Sequence, residues 1–148
     1  MSILVDTNLL VYAAMASSPH HAATRRWLDQ CFDDPEMTVG LTWTVLYGFM
    51  RLVTNRRIVG TEAIGPAAAW AAAEAFRLQP NATIVQPGER HAAIAAGLMA
   101  TPGLGSNDIP DVLLAATAIE NGLVLCTHDH GFARFLALRW RNPLAGES

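Results

Sequence analysis

The sequence predicts an α/β fold, a three-layer α/β/α sandwich around a mostly parallel sheet of four or five strands. Short continuous apolar runs, typical of strands buried on both faces, alternate along the chain with longer segments typical of helices. The 148 residues suit one compact domain, residues 1–148, and no repeat or linker divides them. Hydrophobic residues make up 51% of the chain and charged residues only 16%, which excludes a disordered protein.

The first elements are a strand and two helices. The apolar run at residues 3–5 predicts a buried strand, because it is short, continuous and ended by an aspartate. Residues 7–15 and 20–32 predict helices, the second with its apolar residues on one side. The Ser-Ser-Pro segment at 17–19 separates the two helices, and Asp-Asp-Pro at 33–35 ends the second.

The middle of the chain predicts two strands and three helices. Residues 37–41 and 83–85 are the strands, since each is a short run of apolar and β-branched residues. Residues 42–53 predict a helix, although β-branched and aromatic residues lower its helix propensity. Residues 67–77 predict a strong helix, because seven of these eleven residues are alanine. A further helix is predicted at 89–100.

The last third of the chain begins with a loop and a helix. Residues 101–107 contain proline, glycine, serine and asparagine, which are typical of a loop. The helix at 111–121 is ended by Gly122. Three short elements follow: a strand at 123–125, a turn or short helix at 132–135 and a fifth strand at 138–140.

The composition limits the class of function. A net charge of −3 argues against a protein that binds nucleic acid through bulk charge alone. All ten basic residues are arginine, which a GC-rich genome explains more simply than phosphate binding does. The low charged fraction predicts exposed apolar patches and therefore a homodimer, a protein partner or both. The apolar faces at residues 43–49 and 67–76 are candidate docking surfaces.

Targeting signals are not expected. No apolar run approaches the 18 residues that a transmembrane helix needs, so no membrane attachment is predicted. The first residues lack a basic segment, and Asp6 interrupts the apolar run that a signal peptide requires. Cys31 and Cys126 are too few for a disulfide framework and are expected to be buried thiols. We therefore expect a cytoplasmic protein.

Four aspartates fall at one edge of the predicted sheet. Asp6 follows the first strand, Asp129 follows the fourth, and Asp111 lies in the first turn of the helix before that strand. Asp108 lies one turn earlier. In parallel α/β sheets, binding sites lie outside the carboxyl ends of the strands. Converging carboxylates with no lysine nearby repel one another, and a hard cation such as Mg²⁺ or Mn²⁺ relieves that repulsion. The sequence therefore predicts a metal site.

Each aspartate also has a purely structural interpretation. Asp6 suits an Asx turn, and Asp129 suits a loop. Asp108 suits a helix N-cap, with Asp111 three residues later as in a capping box. The convergence of the acids favours the metal site, but for Asp108 alone the cap and the ligand remain equally open.

Three segments carry a recognisable acidic pattern in this order along the chain. They are Ile3-Leu4-Val5-Asp6-Thr7-Asn8, Asp111-Val112-Leu113-Leu114-Ala115-Ala116-Thr117-Ala118 and Thr127-His128-Asp129-His130-Gly131-Phe132. The C-terminal segment at residues 132–144 carries a further part of the same pattern. Together these segments resemble the signatures of PIN-domain nucleases, and most closely those of the VapC toxins of bacterial toxin–antitoxin pairs.

The resemblance implies a PIN-like sandwich and a metal-dependent endoribonuclease that hydrolyses RNA phosphodiester bonds. It also implies a VapB-type antitoxin that silences the enzyme. By this likeness, Asp6, Asp111 and Asp129 are catalytic residues that bind Mg²⁺ (or Mn²⁺), and Asp108 matches an extra acid of some variants. Either Asp108 or Asp129 is expected to accept a proton during hydrolysis.

Two further features follow from the resemblance. Asn8 and Thr127 match the small polar residues that steady the acidic cluster. The family usually carries a glutamate on the helix after the second strand, and here Gly48 occupies that position. The departure puts the number of metal ions and the turnover in doubt.

Basic and aromatic residues give weaker signals. Arg51, Arg56 and Arg57 are candidates for RNA binding, and a solvated helix end explains them equally well. Arg134, Arg139 and Arg141 are as well suited to pairing with acids or with a partner. His128 and His130 favour surface or phosphate-contact roles over metal binding. The tryptophans Trp27, Trp43, Trp70 and Trp140 suit core or interface positions better than base stacking.

Two rival hypotheses remain. The chain is either a nuclease or a catalytically weak PIN-like module that binds RNA or an antitoxin. A phosphoryl-aspartate enzyme also places aspartates at strand ends, but it needs a lysine in the pocket, and the chain has none.

Overall fold

A five-stranded parallel sheet forms the centre of the computed structural model, which describes residues 1–146. The strands lie in the order β3-β2-β1-β4-β5, and all four neighbouring pairs are parallel. The strands are β1 (Ser2–Val5), β2 (Thr38–Leu41), β3 (Ala82–Ile84), β4 (Val124–Cys126) and β5 (Trp140–Arg141). The predicted α/β class and parallel sheet are confirmed.

Seven α-helices connect and flank the strands within the described residues. They are α1 (Thr7–Ala14), α2 (His21–Asp33), α3 (Trp43–Val53), α4 (Arg56–Val59), α5 (Pro66–Arg77), α6 (His91–Met99) and α7 (Ile109–Glu120). Three short 3₁₀ turns add Gly60–Glu62, Ser106–Asp108 and His130–Arg134. No helix within residues 1–146 is long and apolar enough to cross a membrane.

The central strands and two helices supply most of the core. Ile3–Val5 of β1 are buried, because β1 has a strand on each side and helices on its faces. Helix α3 buries Leu46 and Phe49, and α7 buries six of its seven residues from Val112 to Ala118. This packing fixes β1, α3 and α7 relative to one another and so positions the edge where β1 ends.

Most predicted boundaries lie within about two residues of those observed, β5 being Trp140–Arg141 rather than 138–140, and two further differences have local reasons. The helix α4 and the following 3₁₀ turn were not expected, and they form because the Asn55 side chain accepts a hydrogen bond from Arg57 N at 3.0 Å. Gly60, with φ of 64°, ends α4. Helix α7 begins at Ile109 rather than at Asp111, since a proline at its second position needs no hydrogen-bonded N–H.

The two cysteines are buried free thiols, as expected. Burial raises the pKa of the Cys31 thiol to about 11 and that of the Cys126 thiol to about 12. Both thiols are therefore protonated at neutral pH and are poor nucleophiles.

Candidate active site

Asp6 lies at the carboxyl end of β1, the middle strand of the sheet. Its backbone N–H donates to the Cys126 carbonyl at 3.0 Å, which joins the ends of β1 and β4. Its Oδ1 accepts from the Thr7 backbone N–H at 2.7 Å, so Asp6 is also the N-cap of α1. Asp6 can therefore be both a turn or cap residue and a member of the acidic cluster, because only Oδ1 makes the cap bond and Oδ2 bonds to Thr127.

Thr127 is the polar centre of this edge. The residue is fully buried, directly after β4. Its hydroxyl donates to Asp6 Oδ2 at 2.7 Å, and it accepts from the Asn8 side-chain amide at 3.3 Å and from the Asp129 backbone N–H at 3.0 Å. One hydroxyl thus joins the segment after β1 to the segment after β4. Asn8 and Thr127 lie within the cluster, and their supporting role stays a prediction.

Asp129 begins the 3₁₀ turn at 130–134. Its Oδ1 accepts from the Gly131 backbone N–H at 2.8 Å, which is a local cap. The flanking His128 and His130 rings lie on one side of the chain, with centroids 6.4 Å apart. The His128 ring lies within hydrogen-bond distance of the Asn142 amide, 3.1 Å from Nδ2. His128 is half-buried and His130 is exposed, so a surface or phosphate-contact role for the two histidines stays a prediction.

Asp108 and Asp111 share a partner, Arg134. One guanidinium nitrogen of Arg134 lies 3.0 Å from Asp108 Oδ1 and 3.3 Å from Asp111 Oδ2. Asp108 Oδ2 also accepts from the Gly105 backbone N–H at 2.8 Å. Asp108 occupies the N-cap position of α7 but makes no side-chain cap bond to that helix, so of its two open interpretations the structure does not support the α7 cap. The lack of lysine does not leave the acids uncompensated, because Arg134 supplies a charge.

The carboxylates differ in how readily they ionise. Burial raises the pKa of Asp6, the Thr127 and Thr7 hydrogen bonds oppose that rise, and the Asp129 charge adds to it. Burial together with the charges of Asp6 and Asp129 raises the pKa of Asp111 to about 6, against the opposing effect of Arg134. The Gly105 N–H and Arg134 lower the pKa of Asp108. Asp6, Asp111 and Asp129 are therefore near enough to repel one another.

The donor chemistry fits a hard cation, whereas the side-chain arrangement is not preformed. Within residues 1–146, no group of three or more histidine, cysteine, aspartate or glutamate side chains is arranged so that it could hold a metal ion. Mutual repulsion among three carboxylates is nevertheless the condition that a divalent cation relieves. Asp111 Oδ1 and Asp129 Oδ2 accept no hydrogen bond from the described part of the chain and are available as ligands.

Gly48 lies opposite Asp6, on the other side of Thr7. A Cβ atom added at Gly48 lies 3.3 Å from the Thr7 hydroxyl, and otherwise only Thr7 atoms lie within 4 Å of it. The position lines the same cavity as Asp6 and Asp111, but it adds no carboxylate. The wall contributed by α3 is uncharged at this point.

A cavity of about 890 Å³ opens over the acids between α3 and α7. Asp6 and Asp111 line it together with Gly48. Trp43 and Tyr47, which the sequence placed on an apolar face and not at the acids, line the same cavity. Their spacing of four residues on α3, with Gly48 beside them, is the signal that identifies this wall.

The three candidate RNA-binding arginines separate in the structure. Arg51 lines the cavity, on the same side of α3 as Tyr47. Arg56 and Arg57 are exposed on α4, outside the cavity lining. Of these three arginines, only Arg51 lines the same cavity as Asp6 and Asp111.

An aromatic cluster on the far side of the acids was also missed. The Tyr12 ring lies 4.8 Å from the His20 ring and 5.8 Å from the His128 ring. Burial, with added effects from the charges of Asp6 and Asp129, raises the pKa of the Tyr12 hydroxyl. Tyr12 follows Asn8 by one helical turn, and that spacing is the signal that places it beside the acids.

Comparison with known proteins gives a consistent result. The family model of the PIN domain matches residues 3–136. Ribonuclease VapC43 of Mycobacterium tuberculosis is 44% identical over 146 residues, which cover 99% of this chain and 98% of that protein. Ribonuclease VapC37 of the same species is 37% identical over 147 residues, with 96% and 97% covered.

Solved structures agree on the fold. VapBC2 from Rickettsia felis, crystallised with a DNA fragment from its promoter, aligns with a TM-score of 0.69 and 19% identity over 96% of this chain and 98% of that one. Mycobacterium tuberculosis VapC20, described as a toxin that cleaves the sarcin–ricin loop, aligns with a TM-score of 0.65 and 20% identity over 88% and 92%. At these identities the likeness concerns the fold alone.

Proposed function

The chain belongs to the PIN-domain family, in the group of the VapC ribonucleases, and from this premise we propose that it is a metal-dependent endoribonuclease. It hydrolyses RNA phosphodiester bonds as the toxin of a type II toxin–antitoxin pair. Residues 1–148 form a single PIN domain. Asp6, Asp111 and Asp129 are its catalytic and metal-binding residues, and Asp108 is an additional acid.

The observation that carries this proposal is the convergence of three carboxylates from distant segments. Burial, with added effects from the charges of Asp6 and Asp129, raises the pKa of Asp111 to about 6. A structural cap or turn needs one acid and no such repulsion. Three acids kept at one strand edge, two of which (Asp6 and Asp111) line a cavity large enough for a nucleotide, support a cation and phosphate site.

Asp6, Asp111 and Asp129 hold Mg²⁺ or Mn²⁺ through carboxylate oxygens. When bound, the cation stabilises negative charge on the phosphoryl group and makes water a stronger nucleophile. Thr127 keeps Asp6 Oδ2 oriented through a 2.7 Å hydrogen bond, and Asn8 keeps the Thr127 hydroxyl directed to it. These outer contacts fix the ligands, as second-sphere hydrogen bonds do in metal sites.

Asp129 is better suited than Asp108 to accept the proton of the attacking water, a role for Oδ2 that is an alternative to metal binding through the same oxygen. Asp108 is committed to the Gly105 N–H and to Arg134, and its pKa is lowered. Asp129 uses Oδ1 for the Gly131 N–H, and its Oδ2 accepts no hydrogen bond from residues 1–146. Arg51, at the cavity wall, contacts the RNA backbone, whereas Arg56 and Arg57 contribute at most a distant charge.

Cleavage of total RNA by the purified protein tests the proposal. Cleavage is expected with Mg²⁺ or Mn²⁺ and not with EDTA. It is expected to fall more than about 100-fold in Asp6→Asn, Asp111→Asn and Asp129→Asn, beyond the 10- to 100-fold cost of losing an outer contact. Asp29→Asn, which changes an exposed aspartate of α2, is the matched control and retains activity. Full activity in all three site variants contradicts the proposal.

Gly48 and Arg134 favour a second candidate, a catalytically weak module that binds RNA or an antitoxin. The α3 wall lacks the usual carboxylate, and Arg134 already neutralises part of the cluster. This candidate predicts RNA binding that survives Asp6→Asn and no metal-dependent cleavage by the wild-type protein. If Gly48→Glu gains metal-dependent cleavage, the wild-type protein has a weakened nuclease site rather than no nuclease site.

A VapB-type antitoxin is the proposed partner, and a homodimer is the proposed assembly. The relatives named as VapC ribonucleases support the first. Large apolar side chains exposed on or beside α6 and α7, namely Met99, Ile109 and Leu113, support a protein contact there. RNA as the substrate implies a cytoplasmic location.

A further inference from the structure

The α3 wall of the cavity carries a stripe of two aromatic residues and one cation. Trp43, Tyr47 and Arg51 follow one another at four-residue spacing, so they lie along one side of α3, and all three line the cavity that Asp6 and Asp111 also line. We propose that Trp43 and Tyr47 stack an unpaired nucleobase of the RNA next to the cleaved phosphate. This inference rests on the proposed nuclease function and assigns a base-stacking position on α3 beside the acids.

The aromatic pair is held in place from behind. Trp43 stacks on Trp70 with ring centroids 6.1 Å apart and planes at 12°, and the Arg77 guanidinium lies 5.9 Å from the Trp43 ring centre. Glu74 holds Arg77 through an ion pair, with one N–H to Oε1 distance of 2.9 Å. A supported ring loses little conformational freedom on binding, which favours stacking of a ligand against it.

Tyr47 is the exposed member of the pair. Its side chain is 58% exposed, and its ring centroid lies 5.8 Å from that of Trp43. A large aromatic side chain left this open beside a catalytic cavity is suited to cover a ligand. Every nucleobase has a π-face, so such a platform binds bases without reading their hydrogen-bonding edges.

Arg51 favours a phosphate-bearing occupant, and the cavity is large enough to enclose a nucleotide. The Arg51 guanidinium makes no ion pair with residues 1–146, so it is available to a phosphate. The cavity volume of about 890 Å³ lies within the range of sites that enclose a small ligand. The cavity is continuous from the acids to the aromatic pair, so a nucleotide whose phosphate reaches the acids has its base within reach of Tyr47.

The first test measures RNA binding in EDTA, where cleavage cannot interfere. The probes are a fluorescein-labelled single-stranded oligoadenylate of eight nucleotides, the same chain with abasic positions, and a duplex. We expect the wild type to bind the abasic chain and the duplex about tenfold more weakly than the oligoadenylate. Tyr47→Ala is expected to lose about tenfold for the oligoadenylate and nothing further for the abasic chain, while Tyr47→Phe keeps the wild-type affinity.

Matched controls separate stacking from general damage. Leu78→Ala removes an exposed apolar side chain outside the cavity and is expected to bind as the wild type does. Arg51→Gln is expected to reduce the slope of log affinity against log salt by about one, and Arg139→Gln, outside the cavity, to leave it unchanged. Circular dichroism and melting curves check that each variant is folded.

The outcomes distinguish this inference from the nuclease proposal. Cleavage by the wild type together with equal RNA affinity of Tyr47→Ala overturns the base site and leaves the nuclease intact. The stacking pattern without metal-dependent cleavage supports the base site and overturns the nuclease. Absence of RNA binding by the wild type, or a Tyr47→Ala variant that loses only a protein partner, overturns the base site.

Discussion

The acidic cluster has two sides that hold their carboxylates by different means. On the Thr127 side, formed by Asp6, Asn8, Thr127 and Asp129, a neutral hydroxyl and backbone N–H groups orient the acids. On the Arg134 side, formed by Asp108, Asp111 and Arg134, a guanidinium pairs with two carboxylates. Neutral donors fix direction without cancelling charge, whereas a cation does both.

This difference shows where a metal ion is needed. The Thr127 side keeps its negative charge, and that charge acts across the cluster to raise the pKa of Asp111. On the Arg134 side, the guanidinium already neutralises part of the negative charge. Together with the Gly105 N–H, it lowers the pKa of Asp108. A bound cation is therefore stabilised most by the carboxylates of the Thr127 side. At Asp111 it competes with the Arg134 guanidinium.

The largest expected effect comes from breaking the Thr127 side. Thr127→Val removes the hydroxyl that orients Asp6 and is expected to lower kcat/KM for RNA cleavage about 10- to 100-fold. Thr24→Val is the matched control, because Thr24 is equally buried but its hydroxyl has no hydrogen-bond partner. Equal activity in both variants contradicts an orienting role for Thr127. Thr127→Ser, which keeps the hydroxyl, is expected to retain most of the activity.

The second effect is the pH dependence of stability without metal. Because the pKa of Asp111 is raised from 3.8 to about 6, the folded state binds this proton more tightly than the unfolded state does. The resulting destabilisation is present above pH 6 and is relieved as the pH falls from 7 towards 4. Its size is on the order of 2 kcal/mol. Urea unfolding in EDTA measures it against Asp111→Asn, which is expected to lack this component. A wild type and variant with parallel pH profiles contradict the repulsion.

A third, smaller effect is expected when the Arg134 side loses its cation. Arg134→Met keeps much of the apolar side chain, which lies over the Phe135 ring, but frees Asp108 and Asp111. Loss of an ion pair worth up to about 1 kcal/mol predicts about three- to fivefold tighter Mg²⁺ binding. Isothermal titration calorimetry measures this directly. Arg139→Met, outside the cluster, is the control, and unchanged or weaker Mg²⁺ binding by Arg134→Met overturns competition between the two cations.

The smallest effect is expected at Gly48, where the Thr127 side meets α3. Gly48→Glu adds a negative charge near Asp6, so it is expected to lower stability in EDTA by about 1 kcal/mol or less and to increase the gain from Mg²⁺. Gly48→Ala separates charge from bulk, because its Cβ meets only Thr7 atoms, the nearest at 3.3 Å. Melting curves with and without Mg²⁺ measure the stability in EDTA and the stabilisation by Mg²⁺ for each variant. The same Mg²⁺ response in the two variants shows that position 48 does not face the cation.

The sequence predicted more of the fold than of the side-chain partners. The apolar runs at 3–5 and 123–125 indicated buried parallel strands, and both became central strands of the sheet. The helix α4 was missed because it depends on one cap, from Asn55 to Arg57, rather than on apolar periodicity. For Asp108 the sequence left cap and ligand equally open, and its side chain bonds to Gly105 and Arg134 rather than capping α7.

By itself, the sequence determined the α/β class and the edge at which the aspartates meet. Strand periodicity and the position of Asp6 and Asp129 directly after strands are local properties of the chain, and parallel strands end at the same edge. Only the tertiary structure decided that Arg134 pairs with Asp108 and Asp111, and that α3 turns an aromatic stripe towards the acids. Those contacts depend on how helices pack across the sheet, and charges and rings far apart in sequence meet only after that packing is complete.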